Sequence, residues 1–236
     1  MKRKLHREVE EAALDDPKKE LKINVIKKFI QRRAKEKTCK ITLTSCFLIY
    51  CGWPISFYLS FLYFNPILKE NHGYSAEDVI LHNFFLSIIM LVSNSIWAKL
   101  SYRIYPLKIL KLKAKVFSII VLFLPILILQ ASHQYQIFAL QSLVLIVALG
   151  SHPADPLFIK HFPVFKRFTN TSFLYVLSRA LVYVVTSFGL LYLTEIFGPW
   201  GLWGILGPVS IGFYLSVRHF EKLESKVSIN GLPICA

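Results

Sequence analysis

Arg179 is the residue of this sequence that most needs a chemical account. It falls inside the apolar run from Ser172 to Phe197. A charge at the centre of a lipid-embedded helix costs about 2.5–3.5 kcal/mol on insertion scales. Three compensations are open. Arg179 could pair with Asp155 if neighbouring runs adjoin, snorkel toward water, or hold a solute. Asn83, Ser87, Asn94 and Ser101 recur at helical spacing along another apolar run, so they share one face. In lipid such a stripe should turn toward protein or a water-filled path, serving either interhelical hydrogen bonding or a solute. Tyr50, Trp53, Phe57 and Phe61 form an aromatic row. It could pack against helices, or cradle a quaternary ammonium group by cation–π attraction. Trp53, Phe57, Asn83, Ser87, Asn94 and Arg179 are the candidate lining of a solute path.

Enzyme chemistry finds less support. The sequence contains no GxSxG, HExxH, GxGxxG or Walker A pattern. Its seven histidines show no metal-ligand spacing, and its four cysteines include no CxxC pair. No catalytic residue, metal or cofactor is expected. The segment Gly150-Ser-His-Pro-Ala-Asp-Pro brings His152 near Asp155, and an intramembrane hydrolase could be built there. The frayed end of a helix is the simpler reading.

These residues sit on runs long enough to cross a bilayer, which takes about 20 mostly apolar residues. The runs are Ile41 to Phe64 (extending toward Leu68), Val79 to Leu100, Leu112 to Ala131, Gln136 to Leu157, Ser172 to Phe197, and Leu202 to Val217. With 54% hydrophobic residues and charge, Arg179 apart, gathered mainly at the ends of these runs, the chain reads as an all-α membrane protein of six transmembrane helices. The net charge of +14 could suggest nucleic acid. The charge, however, flanks apolar runs and does not line one exposed face. A lipid bilayer is the expected partner.

Charge also sets the expected topology. Of the 28 Lys and Arg residues, 14 precede Ile41, and the clusters 103–115, 160–167 and 218–226 fall on the same side. The opposite loops hold only Lys69. Cytoplasmic loops carry the excess of positive charge, so both termini are expected inside, at the inner (plasma) membrane. Residues 1–40 form a basic segment, 41–220 the six-helix domain and 221–236 a cytoplasmic tail. Within the first, Leu21, Val25, Ile26, Phe29 and Ile30 share a face among lysines and arginines. That pattern suits a helix on the membrane surface or a solvated tail.

Three stretches carry a resemblance. One is Leu68-Lys69-Glu70-Asn71-His72-Gly73-Tyr74-Ser75, followed by Glu77 and Asp78. Another is Lys99-Leu100-Ser101-Tyr102-Arg103-Ile104-Tyr105-Pro106, similar to a G-x-L-S-D-R-x-G-R-R loop but with Tyr102 at the acidic position and Tyr105 at a glycine position. The most specific is Phe162-Pro163 through Arg167, Thr169, Ser172 and Tyr175, similar to F-P-T-x-x-R-Y-T-G-x-S-x-x-Y. Over nearly its whole length the chain resembles the C-terminal half of major facilitator superfamily carriers, in the metabolite–proton symporter branch that includes proline/betaine transporters.

The resemblance implies a six-helix half that works against a second half around a central site for a small-molecule solute and proton. Ser101, Arg103, Phe162, Pro163 and Arg167 would belong to its gating loops. Alone, one half lacks a wall. The expectation is therefore a truncated or split transporter half, partnered by a separately encoded N-terminal half or by self-association. The alternative is a non-transporting membrane subunit or degenerate remnant, which the worn loop at Tyr102 and Tyr105 favours.

Overall fold

The turn between the first two long helices shows how local chemistry sets the element boundaries. Gly73 adopts φ 66°, the left-handed conformation that closes a helix C-terminus without a Cβ penalty. Two residues later Ser75 caps the next helix. Its Oγ accepts from the Asp78 N–H at 3.1 Å, and its own N–H donates to Asp78 Oδ2 at 3.0 Å. At the following turn, Pro106 occupies the first position of a helix, where its missing N–H costs nothing.

The computed structural model describes residues 39–230, and these are helical with no strand among them. Helix α1 is Lys40–His72, α2 is Ala76–Leu100 and α3 is Pro106–Gln130. A shorter α4, Gln134–Ile146, is followed by an irregular stretch and then by α5, Asp155–Ile159. Helix α6 starts as Arg167–Val184, passes through a π segment at Val185–Leu190 and resumes as Leu191–Phe197. Gly198, at φ 60°, and Pro199 then turn the chain into α7, Leu202–Asn230. The segment in which a surface helix is expected, around residues 21–30, lies outside the described residues.

Several of these helices are long and apolar enough to cross a membrane: α1, α2, α3 and the run Val164–Ser225 that contains α6 and most of α7. Their outer faces carry Ile80, Phe84, Leu91 and Ile96 on α2 and Ile119 and Leu122 on α3, all exposed. Continuous apolar surface of this kind is excluded from water and favoured in lipid or against further apolar helices. Helix α1 is central. Of its most apolar stretch 61% is buried, against 22% for α2. It packs on α6 and α7, α7 also packs on α3, and α2 pairs with α4.

Side-chain bonds define two ends of the bundle. At one end the start of α1 meets the late part of α7 through Thr42 and His219, 3.4 Å apart. There Lys111 pairs with Glu221 at 2.7 Å, and Glu224 gathers Tyr105, Lys160 and His161. At the other end Tyr74 reaches Gln134. The turns 101–105 and 160–166 thus share the first end, and the turns 73–75 and 131–133 the second.

Three expectations about the spans need correction. Helix α1, expected over Ile41 to Phe64 and toward Leu68, runs on to His72, accommodating Pro54 internally and widening to a π segment at Tyr58–Tyr63. The final helix, expected to end at Val217, continues to Asn230 because its charged last turns are tied to neighbouring loops. The fourth run is not one helix from Gln136 to Leu157. It ends at Ile146, since Gly150, Pro153 and Pro156 cannot sustain a helix interior.

Candidate functional site at the break in α4

A helix that ends inside a bundle leaves backbone groups to be satisfied. The neighbours of α4 supply partners. The Ile146 carbonyl accepts from Trp97 Nε1 at 2.7 Å and from Ser93 Oγ at 3.3 Å, both on α2. The Leu149 N–H donates to Ser56 Oγ on α1 at 3.1 Å. Ser56 Oγ donates in turn to the Gly52 carbonyl at 3.0 Å. Gly52 lets the irregular stretch approach this closely. A Cβ there would lie 2.8 Å from the Leu149 Cβ and 2.9 Å from Phe213 Cδ2.

A buried polar bridge stands on the other side of the break. Gln141 Nε2 donates to the Ser60 carbonyl, within the π segment of α1, at 2.8 Å. Gln141 Oε1 accepts from His82 Nε2 at 2.7 Å. A π segment exposes a backbone carbonyl that a regular helix would consume, and Gln141 uses it.

Arg179 lies at the level of the break. Its guanidinium carbon is 4.3 Å from the Trp53 ring centre and 4.1 Å from that of Tyr175. Among the described residues it makes no ion pair and no hydrogen bond, and its Nε is buried without a partner. Asp155 does not pair with it. His152 Nδ1 holds Asp155 Oδ2 at 2.5 Å instead. Nor does Arg179 snorkel away. It is half-buried, and cation–π contact replaces the missing counter-ion. His152 lies within electrostatic reach of both Arg179 and Lys113. Lys113 is 5% exposed and has only the Trp97 ring, at 5.5 Å, beside its ammonium.

The depth of these groups follows from helix rise. Trp53 stands 13 residues into α1 and Arg179 12 residues into α6, so each is about 18–20 Å from the start of its helix. A Cβ on Gly150 would be 3.9 Å from Trp53 Cδ1, which puts the break on the same level. The site therefore combines a discontinuous helix, an aromatic row and an uncompensated cation near mid-height. Trp53 stacks on Phe57 at 5.2 Å, and Phe57 meets Phe61 at 4.9 Å.

Compared with protein-family models, with curated proteins and with solved structures, the chain matches none. Its site has to be read from its own chemistry.

The remaining residues singled out from the sequence divide between the break and the loops. Trp53, Phe57 and Arg179 come together. The polar stripe on α2 does not join them. Ser87 and Asn94 are exposed on the outer face, and Ser87 Oγ donates back to the Asn83 carbonyl. Asn83 Nδ2 donates to Asn65 Oδ1 at 3.3 Å. The buried face of α2 is Val79, His82, Leu86 and Ser93, one residue round the helix. His82 to Ser93 and Asn83 to Asn94 have the same separation, so periodicity alone cannot choose between the two faces.

In the loops, Arg167 donates to the carbonyls of Lys160 at 3.1 Å and Phe162 at 3.4 Å. This fixes buried Phe162 and the adjoining Pro163 at the entry to α6. Ser101 caps the end of α2 by donating to the Ala98 carbonyl. Arg103 is exposed and does not reach the Phe162–Arg167 group.

Proposed function

We propose that the chain is one half of a secondary transporter, resembling the C-terminal six-helix half of major facilitator carriers of the metabolite–proton symport type, with both ends cytoplasmic. One observation carries the proposal: the break in α4 stands level with the uncompensated Arg179, deep between helices. Transporters build solute sites near the bilayer midplane from interrupted helices, because only there can unwound backbone and charge be used without facing lipid. The exposed Asn94 and Ser87 on the apolar outer face of α2 support a second set of helices over this face. A separately encoded half or a second copy would supply it. Proline, betaine or an organic acid is the solute class that the loop resemblance implies, with a proton as coupling ion.

The test is uptake. Cells expressing this chain with a six-helix N-terminal half are expected to accumulate labelled proline, betaine or organic acid above cells expressing either alone, and the two halves are expected to co-purify. Neither uptake nor co-purification would refute the assembly. A second reading, a membrane subunit that does not transport, is favoured by the loop at 101–105. There Tyr102 is 91% exposed where the resembled loop has an acid. Stable co-purification without uptake would select it.

A further inference from the structure

We infer that Arg179 is an oxyanion-binding group and that the carboxylate of the solute docks on it, while Trp53 does not serve as a quaternary ammonium cradle. The inference rests on the transporter reading above, whose solutes all carry a carboxylate, and names the residue that receives it.

The argument begins with what Trp53 already does. Its ring is engaged by the chain's own cation, Arg179 at 4.3 Å, and by the stacked Phe57 ring at 5.2 Å. A solute cation arriving at Trp53 would meet a guanidinium of like charge. The aromatic row therefore positions a cation that belongs to the protein. Stacking on rings leaves the in-plane N–H donors of a guanidinium unused, and these match a carboxylate in fork geometry. Arg179 spends none of them on the described residues, and its buried Nε lacks an acceptor. The carboxylate expected from the sequence to neutralise it, Asp155, is held by His152. Lys113, also buried, adds positive potential near the break without an ion pair among the described residues. Tyr175 is 45% exposed, so the stack opens outward and is not sealed in the core.

Two sources could provide an oxyanion: a free organic carboxylate or a lipid phosphate. Depth favours the first. Arg179 is 12 residues, or about 18 Å, from the start of α6, whereas phosphates stay at the bilayer edge.

The experiment uses the full chain reconstituted in nanodiscs of zwitterionic lipid, with tryptophan fluorescence titrated by succinate, glycine betaine and choline, and chloride as the ionic-strength control. Succinate and glycine betaine are expected to shift the signal saturably, and choline is not. Arg179→Gln should weaken the carboxylate response by about tenfold or more, with Arg179→Lys intermediate. Circular dichroism confirms that each variant keeps its helices, and Lys108→Gln serves as a surface-charge control. Repeating the titration with anionic lipid separates the sources, since competition by lipid alone would assign the site to a headgroup. The inference is overturned if choline matches betaine, if neither carboxylate acts beyond chloride, or if Arg179→Gln leaves the response unchanged. Uptake by the assembled halves with an Arg179-independent response would sink this inference and leave the transporter reading standing. Carboxylate binding without uptake would do the reverse.

Discussion

Gln141 on α4 donates to the backbone carbonyl of Ser60 on α1 at 2.8 Å, and so locks the π segment of one helix to the last turns of another. The same amide accepts from His82 on α2. Three helices meet at one side chain that is fully buried.

Gln141→Leu should therefore destabilise the bundle by roughly 1–2 kcal/mol, the range measured for buried hydrogen bonds in membrane helices and the loss of a satisfied carbonyl. His82→Phe should cost less, since it leaves only the Gln141 oxygen unpaired. Thermal unfolding in detergent, compared with Ser142→Ala on the same helix, reads the difference.

Gly52→Val should cost more. The Cβ alone would come within 3 Å of both Leu149 and Phe213, so α1, the break and α7 must all shift. A penalty of about 1–3 kcal/mol is expected for overpacking. Gly150→Ala, whose nearest contact is an ordinary 3.9 Å, should be close to neutral by the same measurement.

Arg167→Ala should loosen the entry to α6 by freeing the carbonyls of Lys160 and Phe162. The cost is about 1–2 kcal/mol. Protease cleavage between Lys160 and Lys166 should accelerate, and Arg167→Lys should rescue only in part, because the shorter side chain does not carry its ammonium to the place where Arg167 Nη2 sits between the two carbonyls.

Glu224 gives the bundle a pH dependence. The apolar part of α7 ends at Val217, and Glu224 projects beyond it. Burial by itself would raise this carboxyl. Hydrogen bonds from Lys160 and His161 and the charge of Lys160 outweigh that effect and hold it below its ordinary value of 4.5. A depressed carboxyl stabilises the fold above the unfolded-state value and loses that stabilisation as pH falls through the folded one. The thermal midpoint should hold from neutral pH down to about 5 and drop below 4.5, with Glu224→Gln flattening the drop. The pairs are partly exposed, so the effect should be on the order of 1 kcal/mol or less.

How much of this was legible beforehand differs by element. The second and third helices start at Ala76 and Pro106, ahead of the expected Val79 and Leu112, because the Ser75 cap and the first-turn Pro106 carry them into polar sequence that hydropathy leaves out. The break in α4 was half visible. Gly150, Pro153 and Pro156 announce an interruption, but the run's hydropathy hides where the helix gives way. The buried face of α2 was not legible, because two faces a single residue apart carry polar groups at the same period. His82 and Gln141 were missed for a related reason: each is a lone polar residue in an apolar run, and only the other gives it meaning.

The sequence by itself determined that apolar helices are joined by connections of which every second one is basic, because composition and charge act locally along the chain. Tertiary structure alone decided that Arg179 rests on Trp53 and Tyr175 and not on Asp155. Stacking and pairing are both open to a guanidinium; Tyr175 is one turn away on the same helix, but the choice of Trp53 depends on which helices adjoin and at what height, a relation between segments more than 100 residues apart.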